Sequence, residues 1–288
     1  VGYDAPVDDR LRRSLLYVPA SSEAMLRKAG TRGADVVILD LEDGVLPAAK
    51  EGARAVLERL WGELDFGLAE PLIRLNPPGT PWHDRDVDAA ARLRPAGVVV
   101  PKCEAPVLVE SVAARLGPAT RLYLMVETTR GVLAGPELAG CPGVAGLVFG
   151  AADFRASARA RRQGDEAEIL VARSLLVLAA RAAEVEVFDT PYFDYRDEPG
   201  LVASARRARG IGFDGKTAVH PGQVAVLNRV FAPDDDEVAR ARRIVEALAA
   251  AAREGRSVAT VDGEMVEALH GREARRILAR HAAVRDGR

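Results

Sequence analysis

The chain has 288 residues, long enough for one large domain or two small ones, and either could bury a sizeable core. Hydrophobic residues make up 48% and charged residues 28%, a globular composition that excludes a disordered or fibrous chain. The formal net charge of −2 provides no global positive field, which argues against nucleic acid or an anionic membrane as partner.

Short β-branched runs alternate with longer amphipathic stretches. Strands are predicted at 14–18, 35–39, 72–75, 97–100, 121–126, 146–149, 185–188 and 215–219, with helical patterns between them such as 48–63, 104–116 and 166–184. Val36-Val37-Ile38-Leu39 and Val98-Val99-Val100 are continuous apolar runs, which suit parallel strands buried on both faces. Eight strands with intervening helices over about 230 residues predict an α/β fold, a (β/α)8 TIM barrel, across residues 12–232. A doubly wound open sheet is the alternative. After Asn228 the rhythm changes to a helix at 235–253 behind Asp234-Asp235-Asp236. A short strand at 257–261, a turn at Asp262-Gly263 and a last helix around 266–281 follow. Residues 233–288 therefore read as an appended helical lid or oligomerisation arm.

Polar residues gather where the strands end. The second strand runs into Asp40-Leu41-Glu42-Asp43-Gly44, the third into Arg74-Leu75-Asn76 and the fourth into Pro101-Lys102. The fifth ends in Glu127-Thr128, the sixth leads to Asp153, the seventh ends in Asp189 and the eighth in His220. In a barrel these ends converge on one rim, where active sites are built. Glu127 and Asp153 follow adjacent strands, an oxygen pair that suits Mg²⁺ with positions left for water and substrate. Capping of the next helices by Thr128 or Asp153 is the competing reading. Arg74 could clamp a substrate carboxylate, or form a salt bridge to the acidic cluster. Asp40, Glu42 and Asp43 are expected to form a supporting network with Arg74 and Lys102. Of the histidines, His83, His270 and His281 are expected on the surface; His220 is better placed, as a structural or a functional residue.

Cys103 and Cys141 are too few for a disulfide scaffold or a zinc site, so a reduced, cytoplasmic protein is expected. The N-terminal VGYDAPVDDR has no signal-peptide pattern, and no apolar run reaches the roughly 18 residues of a membrane span.

The ordered motifs resemble a known family. Arg13-Ser14-Leu15-Leu16-Tyr17-Val18-Pro19, Lys28-Ala29, Asp35 through Asp43-Gly44-Val45, and Lys50 to Arg54 are similar to the opening of the citrate lyase β-subunit-like group. That group belongs to the HpcH/HpaI aldolase superfamily. The likeness continues through Arg74-Leu75-Asn76, Pro101-Lys102, Glu127-Thr128, Asp153-Phe154 and Phe193 to Asp197. It ends with Gly212-Phe213-Asp214-Gly215-Lys216, Val219-His220-Pro221-Gly222-Gln223 and Asp262-Gly263-Glu264-Met265-Val266.

The resemblance implies a trimeric or hexameric TIM-barrel lyase that requires Mg²⁺, or Mn²⁺ in its place. It would cleave or form a 3-hydroxyacyl-CoA of the malyl-, citramalyl- or citryl-CoA type, from an acyl-CoA and an α-keto acid. By the same resemblance Glu127 and Asp153 ligate the metal, and Arg74 and Glu127 contact substrate. Arg13, Tyr17, Lys28, Val219 and His220 correspond to coenzyme A contacts. Where related lyases carry an aspartate that reaches a neighbouring subunit, this chain has Glu267, a candidate acid or base with one extra methylene. The alternatives are a metal-dependent pyruvate aldolase acting on free hydroxy-keto acids, and a non-catalytic, complex-dependent thioester-binding subunit. Only four lysines occur, Lys28, Lys50, Lys102 and Lys216, and all fall inside these motifs. Lys28 is expected to contact a coenzyme A phosphate and Lys102 to pair with the Asp40–Asp43 cluster.

Overall fold

The computed structural model describes residues 10–286. Eight parallel strands close into a barrel in chain order: β1 (Ser14–Pro19), β2 (Val36–Asp40), β3 (Glu70–Arg74), β4 (Gly97–Val100), β5 (Arg121–Val126), β6 (Val144–Phe149), β7 (Glu186–Asp189) and β8 (Gly215–Ala218). Ser14 on β1 pairs with Lys216 on β8, which seals the ring. The chain is thus a TIM barrel, as its strand pattern predicts.

The two-residue period of a strand decides what faces the barrel axis. Leu15, Ile38, Leu72, Tyr123, Met125, Val148 and Phe188 form one packed cluster inside. Their neighbours Leu16, Val37, Leu39, Ile73 and Leu124 belong to the outer layer beneath the helices. The same parity carries Tyr17, Asp40, Arg74 and Glu127 inward, one step further towards the C-terminal rim. Burial of a Leu or Ile in this interior contributes about 2 kcal/mol, so a one-residue register slip is strongly disfavoured. The N-terminal end is closed by charge instead. Arg12 binds Glu70 at 2.5 Å and Glu186 at 2.9 Å, and Arg121 also pairs with Glu70.

Arg12–Phe231 forms one compact unit. A second unit comprises residues 10–11 and 232–286 of the described chain. It contains helix Asp235–Arg253, an antiparallel hairpin (Ala259–Val261 with Glu264–Val266) and helix Ala268–Arg285. Asp234 opens the first helix with a reciprocal cap: its carboxylate accepts Glu237 N–H at 2.8 Å, and its own N–H donates back at 2.9 Å. The second hairpin strand takes up the predicted start of the last helix and delays it by two residues.

The segment expected to lack a signal peptide falls almost wholly on residues 1–9, outside the described residues, as do 287–288 at the end of the arm. Among the described residues no helix is long and apolar enough to cross a membrane. His83 is not a surface residue: it is buried, and its Nδ1 lies 2.8 Å from the Asn76 carbonyl oxygen. His270 and His281 are half-buried.

Candidate active site at the carboxyl rim

Arg74 ends β3 opposite Asp40, its register partner on β2. Its Nε and Nη2 donate to Asp40 Oδ1 and Oδ2 at 2.7 and 2.6 Å, and the guanidinium lies 4.6 Å over the Tyr17 ring. The salt bridge offered by the sequence as one of two roles is therefore present. Asp40 also accepts the N–H groups of Glu42 and Gly44 at 2.8 and 2.9 Å, which turns the chain after β2. A Cβ on Gly44 would come within 2.5 Å of Asp40 Oδ2, so that turn needs glycine. Arg74 Nη1 is the nitrogen not committed to Asp40. It sits 2.7 Å from Glu42 Oε2 and 3.9 Å from Met125 Sδ.

Glu42 is 2% exposed, yet neither carboxylate oxygen has an aligned hydrogen bond. Burial pushes its carboxyl up to about 7 against the pull of Arg74, and Asp43 and Asp40 add to the rise. Glu127 follows β5 and is also buried; its Oε1 accepts the Lys102 N–H at 2.9 Å. Burial, then the carboxylates of Glu42 and Asp153, push Glu127 up to about 8. Asp153 is half-exposed in the first turn of helix Ala151–Ala158, whose Ala151 N–H donates to Thr190 Oγ1 at 3.1 Å. The helix that carries Asp153 is thereby tied to the end of β7.

The rim thus brings together Arg74, Asp40, Glu42, Glu127 and Asp153. Glu127 and Asp153 supply hard oxygens in a site where the Arg74 charge is already balanced by Asp40, and neither Glu42 oxygen beside them has a hydrogen bond. That donor set fits a divalent cation such as Mg²⁺. Among the described residues no group of three or more His, Cys, Asp or Glu side chains could hold a metal alone. Glu127 and Asp153 would leave coordination positions for water and substrate.

Other expected site residues are placed differently. Arg13 precedes β1, at the end of the barrel away from the rim, and is clamped to Asp35 by Nε and Nη2 at 2.8 Å each. That pairing holds its guanidinium at the amino end of the barrel, opposite the rim that carries Val219 and His220. Tyr17 underlies Arg74. Lys28 is exposed, with no ion pair among the described residues. Val219 and His220 are exposed on the rim, where His220 stacks on Tyr195 at 4.7 Å and accepts Gly222 N–H on Nδ1. Asp43 is exposed beside the rim.

Lys102 makes no ion pair with Asp40, Glu42 or Asp43. Its backbone adopts a left-handed φ of 52° that aims the N–H at Glu127 and leaves the side chain exposed. The ammonium that braces the acidic loop is Lys50, whose Nζ donates to the Leu41 and Glu42 carbonyls at 3.0 and 2.9 Å. The sequence offered a signal for it: one of four lysines, close behind the acidic run. Lys216 faces the helix layer, fully buried and paired with Asp189. Glu267 is exposed at the start of helix Ala268–Arg285, and its N–H donates to His270 Nδ1 at 3.1 Å.

Comparison with known proteins agrees with this fold. The (3S)-malyl-CoA thioesterase of Cereibacter sphaeroides is 38% identical over 94% of this chain and 95% of its own length. The mitochondrial citramalyl-CoA lyase of Mus musculus is 30% identical over 96% of this chain and 87% of its own. The crystal structure of CitE from Mycobacterium tuberculosis, in complex with magnesium, acetoacetate and coenzyme A, superposes with a TM-score of 0.82. It is 32% identical and covers 95% of this chain and 99% of that one. The HpcH/HpaI aldolase/citrate lyase family model matches residues 13–221, and the chain belongs to that family.

Proposed function

We propose that this protein is a Mg²⁺-dependent carbon–carbon lyase that acts on a 3-hydroxyacyl-CoA of the malyl-, citramalyl- or citryl-CoA type. The observation that carries the reading is the convergence of Glu127 and Asp153 on the rim beside a guanidinium held rigid by Asp40. Glu127 and Asp153 would hold the ion, which when bound supplies Lewis-acid polarisation of the keto-acid oxygens.

The chain's own groups do the rest. Arg74, through the Nη1 not committed to Asp40, would stabilise the charge that develops on the thioester oxygen as the carbon–carbon bond breaks. Asp40 and Tyr17 keep that guanidinium in place, so little reorganisation is needed at reaction. Glu267, supplied by the arm of a neighbouring copy in a homotrimer or hexamer, removes the hydroxyl proton and returns a proton to the enolate carbon. Lys28 and the Val219–His220 segment take the phosphates and nucleoside of coenzyme A. Its small-molecule partners are an acyl-CoA and an α-keto acid of the cytoplasm.

Thioester hydrolysis is the second reading, supported by the thioesterase among the similar proteins. One assay separates them. The purified protein is incubated with malyl-CoA or citramalyl-CoA and Mg²⁺. Release of acetyl-CoA with glyoxylate or pyruvate marks the lyase; free thiol with malate or citramalate marks the hydrolase. No turnover of either kind, with Glu127→Gln binding Mg²⁺ as well as the parent protein, refutes both.

A further inference from the structure

Glu42 is the side chain whose chemistry the site leaves unanswered. It is 2% exposed, and neither of its carboxylate oxygens meets an aligned donor. Buried carboxylates are nearly always hydrogen-bonded, because the desolvation cost is otherwise uncompensated. Its nearest cation does not resolve this: Arg74 commits two nitrogens to Asp40, and the third approaches Glu42 Oε2 at 2.7 Å without alignment. The backbone on either side is fixed nevertheless. Glu42 N–H donates to Asp40 Oδ1 at 2.8 Å, and its carbonyl accepts from Lys50 Nζ at 2.9 Å. A carboxylate on a backbone held this firmly, with no aligned donor at either oxygen, can receive donors that arrive with a ligand.

We propose that Glu42 is a positioning residue whose carboxylate accepts hydrogen bonds from the water molecules of a Mg²⁺ ion held by Glu127 and Asp153. The inference rests on the metal reading above and assigns a role to a residue outside the inner ligand set. Direct ligation is not implied, since no three-carboxylate group among the described residues could hold a metal. Mg²⁺ gives up its water reluctantly, and its bound waters are strong donors in search of fixed acceptors. The negative charge of Glu42 also raises the Glu127 carboxyl, next after burial.

The test uses Glu42→Met, which fills similar volume without acceptors, and measures Mg²⁺ affinity by calorimetry alongside metal-free thermal melting. The expected result is Mg²⁺ affinity lower by about 10–100-fold, with a metal-free melting temperature no lower than that of the parent. Glu42→Gln, which keeps one acceptor, should lose less in the same direction and serves if the Met variant fails to fold. Unchanged Mg²⁺ affinity in both variants, while Glu127→Gln loses binding, overturns the inference and leaves the proposed function standing. A lowered metal-free melting temperature with unchanged affinity makes Glu42 a mere counter-ion of Arg74 and also overturns it. If the parent protein itself binds no Mg²⁺, the metal reading fails and this inference with it.

Discussion

Glu127 lies where Gly150 would carry a side chain. A Cβ built on Gly150 would come within 2.5 Å of Glu127 Cβ and 2.6 Å of its Oε2. The glycine is not needed for its dihedral, since φ is −104°. It is needed for space. Gly150→Ala is therefore expected to fold, because any L-residue accepts this backbone, while pushing the Glu127 carboxylate out of place. A displacement approaching 1 Å costs about 100-fold in turnover. Steady-state kinetics and circular-dichroism melting test this; wild-type kcat in a folded Gly150→Ala variant would refute it.

Arg74→Lys keeps the charge but loses the two-pronged grip on Asp40 and the planar stack on Tyr17. A lysine ammonium can satisfy only part of that geometry and moves more freely. Turnover is expected to fall by roughly 100-fold or more, the usual loss when one charge-stabilising donor is removed. KM for the acyl-CoA should change much less, because the proposed coenzyme A contacts, Lys28 and Val219–His220, do not include Arg74. A variant whose KM rises while kcat holds would reassign Arg74 to ground-state binding.

The barrel was legible in the sequence because buried parallel strands are written as unbroken apolar runs, and Val36 to Leu39 and Val98 to Val100 are both of that kind. The placement of polar residues at the rim was legible for a related reason: Arg74 and Glu127 stand where apolar strands end. Pairings across long stretches of chain were not. Nothing in the local pattern tells Arg13 to bind Asp35 at the far end of the barrel, or Lys50 rather than Lys102 to brace the acidic loop. Lys102 turned away through a positive φ at a residue other than glycine, which sequence reading has no means to foresee. His83 went inside because a carbonyl of the β3 loop waits for it there.

A buried ionic network predicts how the fold responds to acid. Glu166, in a left-handed turn at the head of helix Ala167–Ala182, pairs with Arg173 at 2.9 Å and Arg207 at 3.0 Å. Burial opposes ionisation, but Arg173, Lys216 and Arg207 outweigh it and pull the carboxyl from 4.5 down to about 2. A lowered folded value means the unfolded chain binds more protons between those limits. Stability from this group is thus complete above about pH 5 and is lost as pH falls towards 2, on the order of 3 kcal/mol in all. Urea unfolding from neutral to acid pH should show a shallower acid loss in Glu166→Gln than in the parent. Parallel curves would discount the pair.

Glu267 belongs to the second compact unit, whereas Arg74, Glu127 and Asp153 belong to the barrel. If the arm of one copy serves the site of another, each site draws its metal ligands from one chain and its acid or base from a second. Glu127→Gln and Glu267→Gln should each be inactive as homo-oligomers. In a co-expressed mixture, a site with intact Glu127 can receive intact Glu267 from a neighbour. Random pairing in equal amounts should restore about one quarter of parental activity, since two independent one-in-two conditions must hold. Recovery near that level assigns Glu267 to the neighbouring copy. No recovery in verified mixed oligomers means that both groups come from the same chain. Activity in Glu267→Gln alone would instead show that Glu267 takes no part, because a bystander glutamate on an exposed helix end can be neutralised without loss of turnover.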